Sequence, residues 1–170
     1  KLGLTPVCAP ELEFYLLPEE RQADGTPRIP STRANGTLNL GGQLLSTEVM
    51  QEQAVLLHEM RAACELMKLP LEGLVKELAP SQYELNLEHV DDPMLAADHA
   101  QMLKQTVKSV ARNHHLIASF MAKPFGDRDG NGFHMHVSVL DAKGKNIFDD
   151  GTERGSDMMR HAIAGLSQTM

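Results

Sequence analysis

The segment from residue 133 to residue 139 alternates strictly between apolar and polar side chains. His134, His136 and Ser138 occupy every second position, and apolar residues stand between them. Because a β-strand directs successive side chains to opposite faces, this pattern predicts a strand with an apolar core face and a face that carries two imidazoles and a hydroxyl. A Gly-rich segment follows Lys123-Pro124 and predicts a flexible loop that leads into the strand.

Two other predicted strands carry the same kind of polar face. Their polar positions, together with an acidic residue just before the second strand, are Glu11 and Glu13, then Glu77, then Gln82, Glu84 and Asn86. Clustered carboxylates without lysine or arginine repel one another, and a bound divalent cation removes that cost. Oxygen-rich ligation with one imidazole suits Mg²⁺ or Mn²⁺ better than a structural zinc site, which favours thiolates.

Each pattern by itself has a plainer explanation. A Glu-x-Glu pair is most often a solvated strand edge, a His-x-His pair is more often structural than ligating, and a Gly-x-Gly motif is weak. The conjunction of three polar strand faces and a Gly-rich turn in one domain favours a binding site. The residues alone therefore predict a domain with a divalent-cation and phosphate site.

Composition limits the classes of protein to which the chain can belong. Its 170 residues suffice for one domain with a sizeable core. The net charge of −7 argues against nucleic acid or an anionic membrane as the main partner. Two cysteines are too few for a disulfide framework, which favours a cytoplasmic location. The chain begins at Lys1 rather than Met and ends inside a predicted helix, so we expect an excised part of a larger protein.

Strands and helices are predicted to follow one another without strict βαβ alternation, which favours the α+β class. The predicted elements are a strand over 6–17, a polar connection over 18–46, a helix from Thr47 to Pro70, two strands within 71–90, a helix from Asp92 to about residue 115, the His134 strand, and a last helix capped by Ser156. A connection as long as residues 18–46 is usually functional or mobile.

Three motifs, in order, resemble the catalytic domain of the glutamine synthetase family. Glu11-Leu12-Glu13-Phe14 resembles the first metal-binding strand of the family. The segment ELAPSQYE, residues 77–84, resembles its second acidic element, and residues 123–138 resemble its nucleotide-binding signature. The resemblance spans essentially the whole chain. It implies an α+β fold in which a largely antiparallel, curved sheet forms a metal-lined funnel flanked by helices.

The resemblance also implies roles for individual residues. One divalent ion, on the glutamate and ammonia side, would be held by Glu13, Glu77 and Glu84. A second ion, bridging the phosphates of ATP, would be held by Glu11 and His134. The nucleotide would be contacted by Glu72, His136 and Ser138, and the substrate glutamate by Asp129 and Gly130. The expected catalytic residues among these are Glu11, Glu13, Glu84 and His134.

The implied reaction is ATP-dependent amide formation in glutamine biosynthesis. The γ-carboxylate of L-glutamate attacks the γ-phosphate of ATP, and an amine displaces phosphate from the resulting γ-glutamyl phosphate. Two metal ions, Mg²⁺ or Mn²⁺, would spread the charge of the transferring group and hold both partners in line. The implied partners are L-glutamate, ATP and ammonia or a polyamine, in a homo-oligomer of stacked rings whose active sites lie between subunits.

The chain departs from the family pattern at two positions. Ser81 stands where glycine is usual, so the turn there must reach its geometry with a side chain present. Asp129 stands where an amide side chain is common. The Gly-rich segment is one residue longer than in the biosynthetic enzymes, and an Asn-Leu pair follows Glu84 closely. These features favour the branch that makes γ-glutamylpolyamines.

Parts of the family's architecture are not in the 170 residues. The N-terminal small domain and the C-terminal part of the catalytic domain are absent, so we expect the isolated chain to lack ligase activity. Besides glutamine synthetase and a γ-glutamylputrescine synthetase, two alternatives stay open. One is a non-catalytic relative that uses the scaffold for assembly, and the other is a distant cousin acting on a phosphagen or on cysteine. The intact candidate ligands and the signature over 130–138 argue against these two.

Overall fold

The computed structural model describes residues 2–29 and 44–169. Residues 30–43, which form half of the polar connection predicted over 18–46, lie outside the described residues. The described chain forms, in order, β1 (Thr5–Pro18), α1 (Thr47–Glu52), α2 (Ala54–Leu66), β2 (Leu71–Lys76), β3 (Gln82–Leu87), α3 (Pro93–Asn113), β4 (Leu116–Ser119), β5 (Phe133–Leu140) and α4 (Asp157–Thr169).

Strand β1 organises the sheet because both of its edges are paired. Its second half pairs with β3 on one edge, and β2 continues the sheet beyond β3. The other edge of β1 pairs with β5 along its first half and with β4 along its last residues. All of these pairings are antiparallel, which confirms the predicted α+β class with an antiparallel open sheet.

One face of the sheet packs against α2 and α3 to form the core. Alternate positions of β1 and β3 point to this side, as the period of a strand requires. The buried side chains that the strands and helices share there include Leu12, Phe14, Leu16, Tyr83, Leu85, Leu56, Met60, Leu103 and Val107. The other face of the sheet carries the polar side chains of the same strands and, at the end of β1, a small buried cluster of Tyr15, Leu17 and Ala79.

Two predicted helix starts are confirmed by their caps. Asp92 accepts hydrogen bonds from the backbone N–H groups of Met94 and Leu95, at 2.9 and 3.2 Å. Ser156 accepts one from Met159 N at 3.2 Å, at the start of α4. Such caps satisfy N–H groups that have no partner within the helix.

The single helix predicted from Thr47 to Pro70 is wrong in one respect, because Gln53 divides it. Gln53 has φ −104° and ψ 12°, outside the helical range. The break lets α1 pack against β2 while α2 runs along α3. The prediction also missed β4, which follows α3 directly. His115, between α3 and β4, adopts a positive φ of 56°. The chain turns back at this residue and continues as a strand of only four residues.

The apolar face of β5 was predicted to be a core face, and this prediction is wrong for the described residues. Phe133, Met135 and Val137 are 55%, 41% and 50% exposed. Helix α3 packs over β1 and β4, and of the described part of α3 the Lys104 side chain reaches β5, where its Nζ lies 5.0 Å from the centre of the Phe133 ring. Helix α4 likewise contains no buried residue.

Candidate functional site

The pairing of β1, β3 and β5 joins the three predicted polar faces into one surface. Glu11 lies opposite Asn86 of β3 on one side and opposite His134 of β5 on the other. Glu13 lies opposite Glu84. Because directly opposed residues of an antiparallel pair share a face, these side chains form a continuous polar patch at the middle of the sheet.

Glu11 is the centre of this patch and contacts both histidines. Its Oε1 lies 2.9 Å from Nε2 of His136, and its Oε2 lies 3.5 Å from Nδ1 of His134. The side chain of Glu11 is 24% exposed, whereas both imidazoles are more than half exposed. The carboxylate is therefore fixed within the sheet while the imidazoles can reach a ligand from solvent.

Glu11, Glu84 and His134 form a group that could hold a metal ion. One ligand atom from each of the three residues lies within 4.8 Å of the others. Two carboxylate oxygens and one imidazole nitrogen suit Mn²⁺ or Mg²⁺. The group joins residues that the family resemblance divides between two ions, because Glu84 stands beside both sets.

Gln82 connects Glu13 to the Gly-rich loop. Its Nε2 lies 2.9 Å from Oε2 of Glu13, 2.8 Å from the carbonyl oxygen of Gly130 and 3.2 Å from Oδ1 of Asn131. The residue is 1% exposed. Three acceptors around one nitrogen determine which way the amide points. Gln82 thus positions a candidate metal ligand and the loop at the same time.

Two further side chains hold the loop in place. The Tyr15 hydroxyl donates a hydrogen bond of 2.8 Å to the backbone carbonyl of Asp129. Asn131 donates through Nδ2 to the carbonyl oxygens of Ser119 and Met121, at 3.0 and 2.8 Å. Burial, and after it the charge of Asp129, raises the pKa of Tyr15 to about 12, so the phenol stays protonated and keeps donating.

Two glycines of the loop occupy positions where a side chain would collide. A Cβ at Gly130 would lie 2.7 Å from the carbonyl oxygen of Ala122, which is backbone and cannot move away cheaply. A Cβ at Gly132 would lie 2.8 Å from both a carboxylate oxygen of Glu13 and the imidazole of His134. Glycine at 132 therefore keeps the space between two candidate ligands open.

The turn between β2 and β3 keeps its shape although Ser81 replaces the usual glycine. Ser81 has a positive φ of 62°, a conformation that glycine adopts without cost. Its hydroxyl donates to the carbonyl oxygen of Leu16, and its own carbonyl accepts from Leu16 N at 2.9 Å. These bonds to β1 offset the strain and confirm that the turn reaches its geometry with a side chain present.

Four carboxylates on this face of the sheet lie close enough to repel one another, those of Glu11, Glu13, Glu77 and Glu84. Desolvation, and after it the charge of Glu13, raises the pKa of Glu77. Desolvation, and after it the charge of Glu11, raises the pKa of Glu84, although a hydrogen bond from Asn86 works in the opposite direction. The charge of Lys76 lowers the pKa of Glu77 but does not cancel these effects, and its buried Nζ donates to the carbonyls of Glu77 and Ala79.

The residues present fit a divalent cation by a further criterion. Gln82 Oε1 and Asn86 Oδ1 are buried acceptors that have no hydrogen-bond partner among the described residues. An unpaired buried acceptor costs about 1–3 kcal/mol. Both residues flank Glu84 on β3, where a hydrated cation would supply the missing partner.

Not every candidate from the sequence lies in the centre of the patch. Glu72 is exposed and sits where the pairing of β2 with β3 is irregular. Ser138 lies further along β5, opposite Val7. Asp129 is exposed on the loop, and its backbone carbonyl binds Tyr15. The structure thus groups the carboxylates and histidines more closely than it groups the candidates for nucleotide and substrate.

Sequence reasoning gave no role to Tyr15, Asn131 or Lys76. Tyr15 could have been suspected because it continues the alternation of Glu11 and Glu13 along β1. Asn131 stands within the Gly-rich segment, where a side-chain amide is well suited to binding backbone carbonyls. A lysine in a strand carries no comparable signal, because lysine is almost always exposed.

The raised pKa values of Glu77 and Glu84 predict that the metal-free protein loses stability as the pH rises. Both carboxyls hold protons more tightly in the folded state than in the unfolded state. Their contribution to the unfolding free energy is therefore complete below the ordinary glutamate pKa of about 4.3 and declines above it. We expect Glu77→Gln to match the wild type near pH 4 and to exceed it in unfolding free energy near pH 7.5. Urea unfolding with a chelator present measures this difference. Glu88→Gln, at an exposed position, is the control. A difference in unfolding free energy between Glu77→Gln and the wild type that stayed constant with pH would contradict the prediction.

Comparison with known proteins agrees with this geometry. The family model described as "Glutamine synthetase, catalytic domain" matches residues 1–170. Gamma-glutamylputrescine synthetase PuuA of Escherichia coli (strain K12) is 35% identical over 168 residues, covering 99% of this chain and 36% of that protein. A glutamine synthetase of Thermotoga maritima is 31% identical over 169 residues, covering 98% of this chain and 36% of the relative.

A solved structure supports the same relationship. The structure titled "GmaS/ADP complex-Conformation 1" superposes with a TM-score of 0.76 at 28% identity, covering 96% of this chain and 36% of the other. The chain therefore spans about a third of the length of the proteins that it matches. No described helix has the length and apolar character needed to cross a membrane.

Proposed function

The chain belongs to the glutamine synthetase family, and from this premise we propose that it forms the metal-binding part of an ATP-dependent ligase. The ligase joins an amine to the γ-carboxylate of L-glutamate through γ-glutamyl phosphate. The observation that carries the proposal is the group of Glu11, Glu84 and His134, whose ligand atoms lie within 4.8 Å of one another. This group stands on a face where carboxylates of two further residues, Glu13 and Glu77, converge.

The candidate ligands divide into two sets in this proposal. Glu13, Glu77 and Glu84 hold the ion nearer to glutamate and the amine, and Glu11 with His134 holds the ion nearer to ATP. Bound Mg²⁺ or Mn²⁺ supplies charge stabilisation for the transferring phosphoryl group. The protein's own contribution is positioning, since the sheet fixes the carboxylates before any ligand arrives.

The remaining candidates bind the substrates around these ions. Glu72, His136 and Ser138 contact the nucleotide, with His136 placed by its contact of 2.9 Å with Glu11. Gly130 and Asp129 bind glutamate at the loop. The Asp129 backbone is already held by Tyr15 and the Gly130 carbonyl by Gln82, so the loop presents a fixed edge to the substrate.

The whole protein in this proposal is longer than the chain and assembles as stacked rings in the cytoplasm. Residues 1–170 are one part of a single catalytic domain, a proposal that the match of the family model to the whole chain and its coverage of 36% of the E. coli relative support. A small N-terminal domain completes the active site of the neighbouring subunit. The apolar side chains exposed on β5 and α4 are consistent with further protein packing on them.

Two amines are candidate acceptors. Ammonia is the acceptor in a glutamine synthetase. A polyamine such as putrescine is the second candidate, and the identity of 35% with the E. coli putrescine enzyme favours it.

The test is amide synthesis by the full-length protein with L-glutamate, ATP and Mg²⁺ or Mn²⁺. Ammonia and putrescine are supplied separately, and the γ-glutamyl product and released phosphate are quantified. We expect one amine to give a kcat/KM at least about tenfold above the other, which corresponds to roughly 1.4 kcal/mol in transition-state binding.

A matched pair of variants shows whether the activity belongs to this site. Glu84→Gln removes a central ligand, and Glu88→Gln makes the same change at an exposed position just beyond β3. Only Glu84→Gln should abolish turnover. A folded wild-type protein with no turnover on either amine would refute both candidate acceptors, and the absence of Mn²⁺ and ATP binding in addition would refute the ligase and favour the non-catalytic scaffold.

A further inference from the structure

Asn86 is a polar residue of the central patch to which the proposed function gives no role. It lies directly opposite Glu11 in the pairing of β1 with β3, and it stands two positions after Glu84 on the same strand. Opposed residues and second neighbours share a face of the sheet. The Asn86 side chain therefore borders both carboxylates of the group formed by Glu11, Glu84 and His134.

The oxygen end of the Asn86 amide is the part of this side chain that points to a ligand. An amide oxygen only accepts hydrogen bonds, so its burial without a donor is unfavourable. The oxygen, Oδ1, is buried and has no hydrogen-bond partner among the described residues.

An amide oxygen in this position has the chemistry of a metal ligand. Asparagine carbonyl oxygens bind hard divalent cations alongside carboxylates, and they do so without adding negative charge. The absence of charge matters here, because the carboxylates of Glu11 and Glu84 already lie in one group and repel each other. A neutral oxygen increases the number of ligands without increasing this repulsion.

We propose that Asn86 supplies an additional oxygen ligand, directly or through one bound water, to the divalent cation that Glu11 and His134 hold beside Glu84. The inference rests on the proposed function only in assuming that a cation binds at this group. It adds a ligand to the set that the family resemblance implies. It also gives the buried Oδ1 atom a partner that the protein itself does not provide.

The test is a titration of Mn²⁺ into the full-length protein. Calorimetry measures the affinity, and the EPR spectrum reports on the ligands of the bound ion. Asn86→Leu keeps the size of the side chain but removes the oxygen, and we expect it to weaken Mn²⁺ binding about 10- to 100-fold. Asn86→Asp restores an oxygen ligand and should bind Mn²⁺ at least as tightly as the wild type. The EPR spectrum should differ from that of the wild type in Asn86→Leu.

The control is Asn113→Leu, the same change at an exposed position at the end of α3, which should leave the affinity unchanged. Circular dichroism checks that Asn86→Leu folds, and Asn86→Val, which suits a strand, replaces it otherwise. Wild-type affinity and an unchanged spectrum in the folded variant would overturn the role of Asn86 alone. No Mn²⁺ binding by the wild type would overturn the metal site of the proposed function as well.

Discussion

Replacing Glu84 with alanine is expected to weaken Mn²⁺ binding on the order of 100-fold or more. Glu84 belongs to the group with Glu11 and His134 and also lies opposite Glu13, so its carboxylate is close to candidate ligands of both proposed ions. Loss of a residue that only orients a metal ligand already costs about 10- to 100-fold in affinity. Loss of a carboxylate that lies beside the ligands of both proposed ions should reduce the Mn²⁺ affinity at least as much.

Calorimetric titration of Mn²⁺ into the full-length protein measures the effect, with Glu13→Ala beside Glu84→Ala. Glu88→Ala is the control, because it removes an exposed carboxylate from the end of the same strand region. We expect the control to retain wild-type affinity. If Glu84→Ala bound Mn²⁺ as the wild type does, the cation would have to lie elsewhere.

Replacing Gln82 with leucine is expected to reduce the unfolding free energy by about 3 kcal/mol. Leucine fits the buried space but leaves the Glu13 carboxylate and the Gly130 carbonyl without their donor. A hydrogen bond to a charged group contributes about 1.5–3 kcal/mol, and an orphaned buried acceptor adds a comparable cost. Urea unfolding of the metal-free protein measures the loss.

The control for this variant is Gln51→Leu, which makes the same change at an exposed position of α1. Gln82→Leu should also increase amide hydrogen exchange of the loop around Asn131, because the amide that binds Glu13 also binds this loop. A stability loss without any change in loop exchange would mean that Gln82 supports the sheet but does not hold the loop.

The polar face could be predicted from the sequence because its signal is local. A strand has a period of two residues, so the alternation around Glu13, Glu84 and His134 determines which side chains share a face within each strand. The caps at Asp92 and Ser156 are equally local, since they involve residues only two or three positions apart.

The register between strands could not be predicted in this way. A shift of one residue would have turned Glu11 away from His134, and nothing within either strand excludes that shift. The links from Gln82 to Gly130 and Asn131 depend on the same long-range pairing. The resemblance to a family supplied the grouping of these residues, which the periodicity of single strands does not contain.

Burial was the least predictable property, because it depends on what packs on a surface. The apolar positions of β5 have the spacing of a core face, yet Val137 is 50% exposed among the described residues. The lysine at position 76 shows the opposite error, since a residue type that is normally solvated is 1% exposed. Both cases depend on neighbours from distant parts of the chain.

The pairing of both edges of β1 has a consequence for how the protein folds. Glu11 acquires its neighbours only when residue 11 has met residues 86 and 134, which are far away in the sequence. Contacts between such distant residues form slowly, because the intervening chain must first be closed into loops. We expect a cation held by residues of all three strands to bind only once these strands have assembled. Such a cation would slow unfolding more than it would speed folding, and would so prolong the lifetime of the native protein.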